Sequence, residues 1–251
     1  MKALLGAELL KLRSTRATSL LVLATLGLVV LTVATTVPGV MEENAWISLD
    51  DPQLLAYVTG NGFGAPLVLM TLLGVLAVTQ EFRYGTITST YLGEPRRTHV
   101  ILAKGLSLVL ASVVVSILTL VVSLISGIAL IRSQDGNVTL TAQFWQTVAA
   151  SVVVMAAYGV IGVAVGALIP HQIAAVVGVL IWMLAIEQMV IPLAPEVGRW
   201  MPFAGASSLM QLGQAYGDQL LPVASGGLVL LGYTAAFVIL ALRITPRRDV
   251  L

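Results

Sequence analysis

Cysteine is absent from the 251 residues, and Asp, Glu, Lys and Arg together make up only 10% of them. Without cysteine there is no disulfide framework and no zinc or iron–sulfur site ligated by thiolates. So little charge excludes an ordinary soluble domain, where about a quarter of residues are charged. The sequence also lacks G-x-x-x-x-G-K-[ST], the loop that cradles nucleotide phosphates, so this chain is not expected to bind ATP. A net charge of +1 gives no argument for nucleic acid as a partner.

What remains is apolar: 58% hydrophobic residues and a mean hydropathy of +0.98. A helix crosses a bilayer in roughly 20 apolar residues. Six stretches qualify, at about 17–37, 62–79, 105–131, 144–169, 172–192 and 222–242. They do not alternate apolar and polar residues as barrel strands do. The expected fold class is therefore an all-α integral membrane protein, with six transmembrane helices in one domain of residues 1–251. The first apolar run, 21 residues, is longer than the core of a signal peptide and no A-x-A pattern follows it, so it reads as a retained helix.

Basic residues cluster. Lys2, Lys11, Arg13 and Arg16 precede span one, Arg83, Arg96, Arg97 and Lys104 separate spans two and three, and Arg243, Arg247 and Arg248 close span six. Lys and Arg mark cytoplasmic segments, so both termini are expected inside, with only Arg132 and Arg199 outside. The acidic Glu42, Glu43, Asp50, Asp51, Asp135, Glu196 and Asp218 fall in segments 38–61, 132–143 and 193–221, which are then external. His99 and His171 both lie near the inner surface and are not spaced as a metal-ligand pair.

Residues 1–15 read as a short helix on the inner membrane surface, with a Leu5, Leu9 and Leu12 stripe beside a polar face of Lys2, Gly6 and Arg13. Leu10 breaks the pattern, and the alternative is one helix continuous with span one. Segment 193–221, with Pro195, Trp200, Pro202, Phe203, Leu209 and Met210, reads as short interfacial or half-inserted helices, or as an amphipathic loop.

The polar insert QEFRYGTITSTYLGEPRRTHVILAK, residues 80–104, stands out between two apolar runs. Tyr84, Ile87 and Tyr91 recur at helical spacing, which predicts a two-turn helix with one aromatic-aliphatic face, ended by Gly93 and Pro95. Glu81, where span two ends, is placed to cap that helix. Gly85 permits close approach of another backbone, and Thr86 can bond locally. Arg83 and the Arg96–Arg97 pair suit either anionic membrane lipid or acidic groups on a partner. Such an insert is expected to dock a soluble partner.

The run Glu81-Phe82-Arg83-Tyr84-Gly85-Thr86, with Pro95-Arg96-Arg97-Thr98 after it, resembles the permease subunits of type-2 ABC exporters. The N-terminal AELLKLRSTRATSLL, with Glu8, Lys11, Leu12, Arg13 and Arg16, is similar to the opening of actinobacterial members. The resemblance implies a permease without enzymatic activity of its own in a bacterial cell membrane. It implies a second permease chain, identical or homologous, and separate ABC ATPase subunits that hold ATP and Mg. It makes the insert the coupling helix, residues 1–15 an elbow helix, and 193–221 a re-entrant pair between the last two spans. A cargo of lipid, peptide or drug character is expected from the low charge of the spans.

Other functional classes find less support. An ion-coupled transporter needs ionisable residues inside the membrane, and Glu187 is the only acid well within an apolar run. In the outer third of span five, Glu187 is expected either to snorkel, to meet a cationic cargo, or to bond Gln188 or another neighbour. A hydrolase would need a nucleophile with a base, and Gly205-Ala206-Ser207-Ser208 has no histidine on its side of the membrane. The sequon Asn137-Val138-Thr139 is a common accidental match. Gly159, Gly162 and Gly166 mark a face of span four for close helix approach, within the chain or at a dimer seam.

The charge bias generates a direct test. Single cysteines at positions 45 and 135 should react with an impermeant thiol reagent in intact cells, whereas one at position 90 should not. The reverse labelling pattern overturns the orientation.

Overall fold

The computed structural model describes residues 2–42, 45–213 and 219–245, and helices account for nearly all regular structure there, with no strand among the described residues. Glu43, Asp218, Arg247 and Arg248 lie outside the described residues. In chain order the helices are α1 Lys2–Ser14, α2 Arg16–Gly39, α3 Leu54–Gly62, α4 Gly64–Arg83, α5 Ile87–Gly93 and α6 Arg97–Ser133. They continue as α7 Ala142–Leu168, α8 Gln172–Ile181, a π-helical turn Trp182–Ile186, α9 Glu187–Leu193, α10 Pro195–Gly198, α11 Pro202–Leu209 and α12 Val223–Ile244.

Six helical stretches are long and apolar enough to cross a membrane: Arg16–Gly39, Leu54–Arg83, Arg97–Ser133, Ala142–Leu168, Gln172–Leu193 and Val223–Ile244. The chain is thus a multi-pass helical membrane protein. Two expected boundaries are corrected. The second span starts at Leu54 rather than near 62, so the last third of the supposed external segment is helix. Gly60, Gly62, Gly64 and Pro66 look like helix breakers in sequence, yet they interrupt the helix only at Phe63. A Cβ on Gly62 would lie 3.1 Å from the Ser123 hydroxyl, and one on Gly60 would lie 2.9 Å from a Leu212 methyl, so these glycines sit in tight side-chain contacts. The helix of the third span starts at Arg97 rather than near 105, which puts Lys104 two turns inside it.

Bonds at each end show the antiparallel course of the spans. At one end Lys104 meets Glu8 and Glu81, Arg83 meets Gln172, and the Thr245 hydroxyl donates to the Ala167 carbonyl. At the other, Asn137 donates to Asp50 (2.9 Å), the Thr139 hydroxyl to the Pro52 carbonyl (2.8 Å), and the Thr147 hydroxyl to the Met210 carbonyl (3.2 Å). The first two of these give the Asn137-Val138-Thr139 sequon a structural use. They tie the segment after span three to the start of span two.

The core forms where α4 packs along α7, against α6 and α8. Gly162 faces the Thr71 carbonyl so closely that an added Cβ would overlap it, and a Cβ on Gly166 would lie 2.8 Å from the Val75 carbonyl oxygen. On the opposite helix a Cβ on Gly74 would meet the Gly159 carbonyl. The glycine face of span four therefore packs within the chain, and Gly74 is the partner that sequence reading missed. Small residues bring membrane helices close enough for dispersion to hold them, since burial from water gives little drive there.

Gly162→Ala should destabilise the fold by about 1–3 kcal/mol through overpacking. Gly27→Ala, whose Cβ meets nothing within 4 Å, should be neutral or stabilising. Unfolding in mixed detergent and SDS measures both, and equal effects would remove the close-packing argument.

Candidate functional site

Four charges from three helices close into a ring at the basic end. Lys104 Nζ on α6 donates to Glu8 Oε2 on α1 at 2.7 Å and to Glu81 Oε1 on α4 at 2.8 Å. Lys11 Nζ, one turn beyond Glu8, donates to Glu8 Oε1 at 2.8 Å and to the same Glu81 oxygen at 2.7 Å. The Ala77 carbonyl accepts a third bond from Lys104 at 3.0 Å. Glu8, Glu81 and Lys104 are buried, Glu8 to 3% exposure, whereas the Lys11 side chain keeps 46% of its surface. Two acids and two bases sum to zero charge, the condition under which ionised groups tolerate burial. Burial alone would lower the Lys11 pKa, but its hydrogen bonds to Glu8 and Glu81 outweigh that and raise it above the usual lysine value.

The ring organises its neighbours. Thr15 is extended (φ −86°, ψ 124°), so α1 is a helix separate from span one, not its continuation. The buried face of α1 centres on Glu8, with Leu5, Leu9 and Leu12 only half-buried around it. Arg13, expected to share the site, stays exposed. Beside the ring a cleft of about 550 Å³ opens between the start of span one, the end of α4 and α5, lined by Lys11, Thr15, Gln80, Glu81, Tyr84 and Ser89 among others.

The insert differs from expectation in three ways. Glu81 belongs to the last turn of α4, and α5 begins at Ile87 after Thr86 with no side-chain cap, so Glu81 is an ion-pair residue rather than the cap of the insert helix. Thr90 donates to its second oxygen across 3.5 Å, the one side-chain link from α5 to the ring. Gly85 has φ +69° and nothing within 4 Å of its Cβ position, so it serves the turn and not a close backbone approach. Finally, Tyr84, Ile87 and Tyr91 do not form one face. Ile87 is buried and Phe82 half-buried against the chain's own core, and Tyr91 is half-buried with the Arg97 guanidinium 5.0 Å over its ring. Burial raises the Tyr91 pKa, and the nearby Arg97 charge partly offsets it. Tyr84, 69% exposed with Arg83 over its ring, and Leu92, 81% exposed, are the large apolar groups the insert offers to solvent.

A second constellation lies in span five. Ala175, Val179, Met183, Glu187 and Ile191 are all buried, a strict four-residue spacing. In an uninterrupted α-helix that spacing would rotate by about 160° over those sixteen residues. The wider π turn at Trp182–Ile186 takes up much of this drift and turns Glu187 inward. Glu187 does not snorkel: its exposure is 0%. Its Oε1 accepts from Trp182 Nε1 at 2.9 Å and from the Phe203 amide, in the first turn of α11, at 3.4 Å. Gln188 is exposed and donates instead to the Met183 carbonyl.

Residues 30–251 match the family of proteins of unknown function DUF2705. The chain belongs to that family. No curated protein matches it. The DUF2705 match takes in Glu81, Lys104 and Glu187 but leaves α1, with Glu8 and Lys11, outside. Among the described residues no group of three or more His, Asp or Glu side chains could hold a metal ion. His171 caps α8, accepting from the Ala174 amide, and His99 lies 3.6 Å from Glu94.

Within this DUF2705 chain, sequence reading placed Glu8 and Lys11 in one segment and Glu81 in another, and missed Lys104 as their partner. Its signal was a lysine at the start of an apolar run, which reads equally well as a topogenic charge. Lys104→Met should cost about 3–5 kcal/mol, because it strands buried carboxylates. Lys11→Met, half-exposed, should cost about 1 kcal/mol or less. Adding Glu8→Gln to Lys104→Met should recover part of the loss. Detergent unfolding reads all three, and equal costs for the two lysines would contradict the buried-ring account.

Proposed function

We propose that this chain is the membrane-spanning permease subunit of an ATP-driven type-2 ABC exporter. It acts with a second permease chain and separate ATPase subunits that bind ATP and Mg. The observation that carries the reading is the charge ring. It fastens a surface helix to the ends of spans two and three, and a long Thr90–Glu81 contact adds the short water-facing helix, the kind of linkage a force-transmitting permease requires. In this reading α1 is the elbow helix on the cytoplasmic surface of a bacterial cell membrane, α5 is the coupling helix, and α10 and α11 form a re-entrant pair on the far side. The burial of α11 against α7 and α12 supports the last assignment.

The mechanics follow from the bonds. Closure of the ATPases displaces the Tyr84–Gly93 segment, which a soluble partner grips by its exposed Tyr84 and Leu92. Thr90 and the buried Ile87 pass that displacement to α4 and α6, and Glu81 and Lys104 pass it on to α1. Spans that pack against α4, including α2, α7 and α8, then shift around the cargo path. The cluster is neutral and internally paired, so it moves as one body rather than exposing single charges.

An ion-coupled transporter is the weaker reading. It calls for a chain of ionisable groups across the membrane, and Glu187 stands far along span five from the charge ring.

Purified alone, the chain should hydrolyse no ATP, and it should co-purify with its cognate ATPase. Tyr84→Ala and Leu92→Ala should leave insertion intact and weaken that complex by roughly 2 kcal/mol each. Wild-type co-purification and ATPase rate in both variants would refute the coupling role of α5, and nucleotide hydrolysis by the isolated chain would refute the division of labour.

A further inference from the structure

We propose that the cavity between spans five and six is a binding site for an amphipathic primary amine, with its ammonium head on Glu187 and its apolar body between the two spans. The cavity measures about 350 Å³, within the usual range of small-molecule pockets. Its walls are aliphatic and aromatic, among them Ile161, Val179, Met183 and Phe237. Two of the lining residues carry a polar atom that the fold buries without a protein partner. These atoms are Glu187 Oε2 and the Tyr158 hydroxyl, both on fully or almost fully buried residues.

Buried polar atoms are ordinarily bonded, and an orphaned carboxylate oxygen costs more than most. Here both in-chain donors, the Trp182 indole and the Phe203 amide, go to Oε1. Oε2 is therefore a buried acceptor without a donor, on a residue that lines an apolar cavity. An ammonium supplies N–H donors and the opposite charge, and the Tyr158 hydroxyl can accept another of its protons. Among the described residues no Lys or Arg lines the cavity, so a phosphate-bearing aminolipid finds no countercharge there for its phosphate. That favours a simple long-chain or aryl amine.

Access is sideways. The main packing of α12 is on α7 and α11, and that of α8 is on α4. Gly178 and Trp182 line the cavity and are exposed on the membrane-facing surface, so an amphiphile already dissolved in the lipid reaches Glu187 without crossing water. The π turn holds the acid in that position, and π turns inside α-helices often accompany functional sites.

Whether such an amine is exported rests on the permease reading, but binding does not, and the test reads binding by this chain alone. The full chain, with Trp46, Trp145 and Trp200 replaced by Phe, is placed in phosphatidylcholine nanodiscs so that Trp182 fluorescence reports on the site. Dodecylamine, dodecanol and dodecyltrimethylammonium are titrated at equal mole fractions in the lipid. The expected result is saturable binding of dodecylamine at least about tenfold tighter than of dodecanol, with the trimethylammonium compound, which has no N–H, in between. Glu187→Gln should abolish the preference for the amine and leave dodecanol unchanged. Gly178→Leu, at a position whose Cβ meets nothing within 4 Å, leaves the acid in place and narrows the mouth, and should weaken the amine severalfold. Dodecylamine binding equal to dodecanol, or unchanged in Glu187→Gln, overturns the proposal. If Glu187→Gln does not fold, unchanged amine binding in Gly178→Leu overturns it instead.

Discussion

Lys104 carries its ammonium into the buried face of α6, and such a charge persists only if opposite charge is brought to it. Glu81 comes from the end of the preceding span and Glu8 from the helix that precedes the first, so one desolvated group draws three distant segments together. Lys11 then balances the second carboxylate and faces solvent, which keeps the ring neutral. The position of α1 against α6, the separation of α1 from span one at Thr15, and the seat of α5 beneath α4 are all compatible with this one requirement. Hydrophobic burial cannot set these positions in a membrane, where lipid is as apolar as leucine.

The remainder of the bundle is held by contact and not by charge. Gly74, Gly159, Gly162 and Gly166 let α4 and α7 approach until backbone meets backbone, giving the rigid centre on which α6, α8 and α12 rest. Rigid centre and charged ring share α4, so a displacement at the ring reaches the centre without a flexible joint between them. Span five departs from this regularity at its π turn, which is also where the chain leaves a carboxylate oxygen and a tyrosine hydroxyl unpaired beside a cavity. The closely packed glycine face and the irregular turn beside the apolar cavity thus lie on different spans.

Much of this was legible from residue order. Six apolar runs of sufficient length, a basic bias at one end, and proline-bounded short helices after span five follow from local properties, and each is present in the structure. The insert was legible as an interruption but not as a surface. Helical spacing put Tyr84, Ile87 and Tyr91 on one stripe, yet the positive φ of Gly85 starts a new helix after Tyr84, and core packing claims Ile87. Periodicity assumes one continuous helix, and a single turn residue breaks that assumption. The same assumption hid the inward turn of Glu187, although the four-residue spacing of Ala175, Val179, Met183 and Glu187 was there to be seen.

The sequence by itself determined class, number of spans and which end carries the basic residues, because each depends on hydropathy and charge summed over a local window. Tertiary structure alone decided that Glu8, Lys11, Glu81 and Lys104 are one group, that Gly74 faces Gly159 and Gly162, and that Glu187 borders a cavity with an oxygen unpaired. Those outcomes depend on distances between residues up to 96 positions apart in the chain. Such distances arise only when buried charges find partners and helices settle at the spacing their smallest side chains permit.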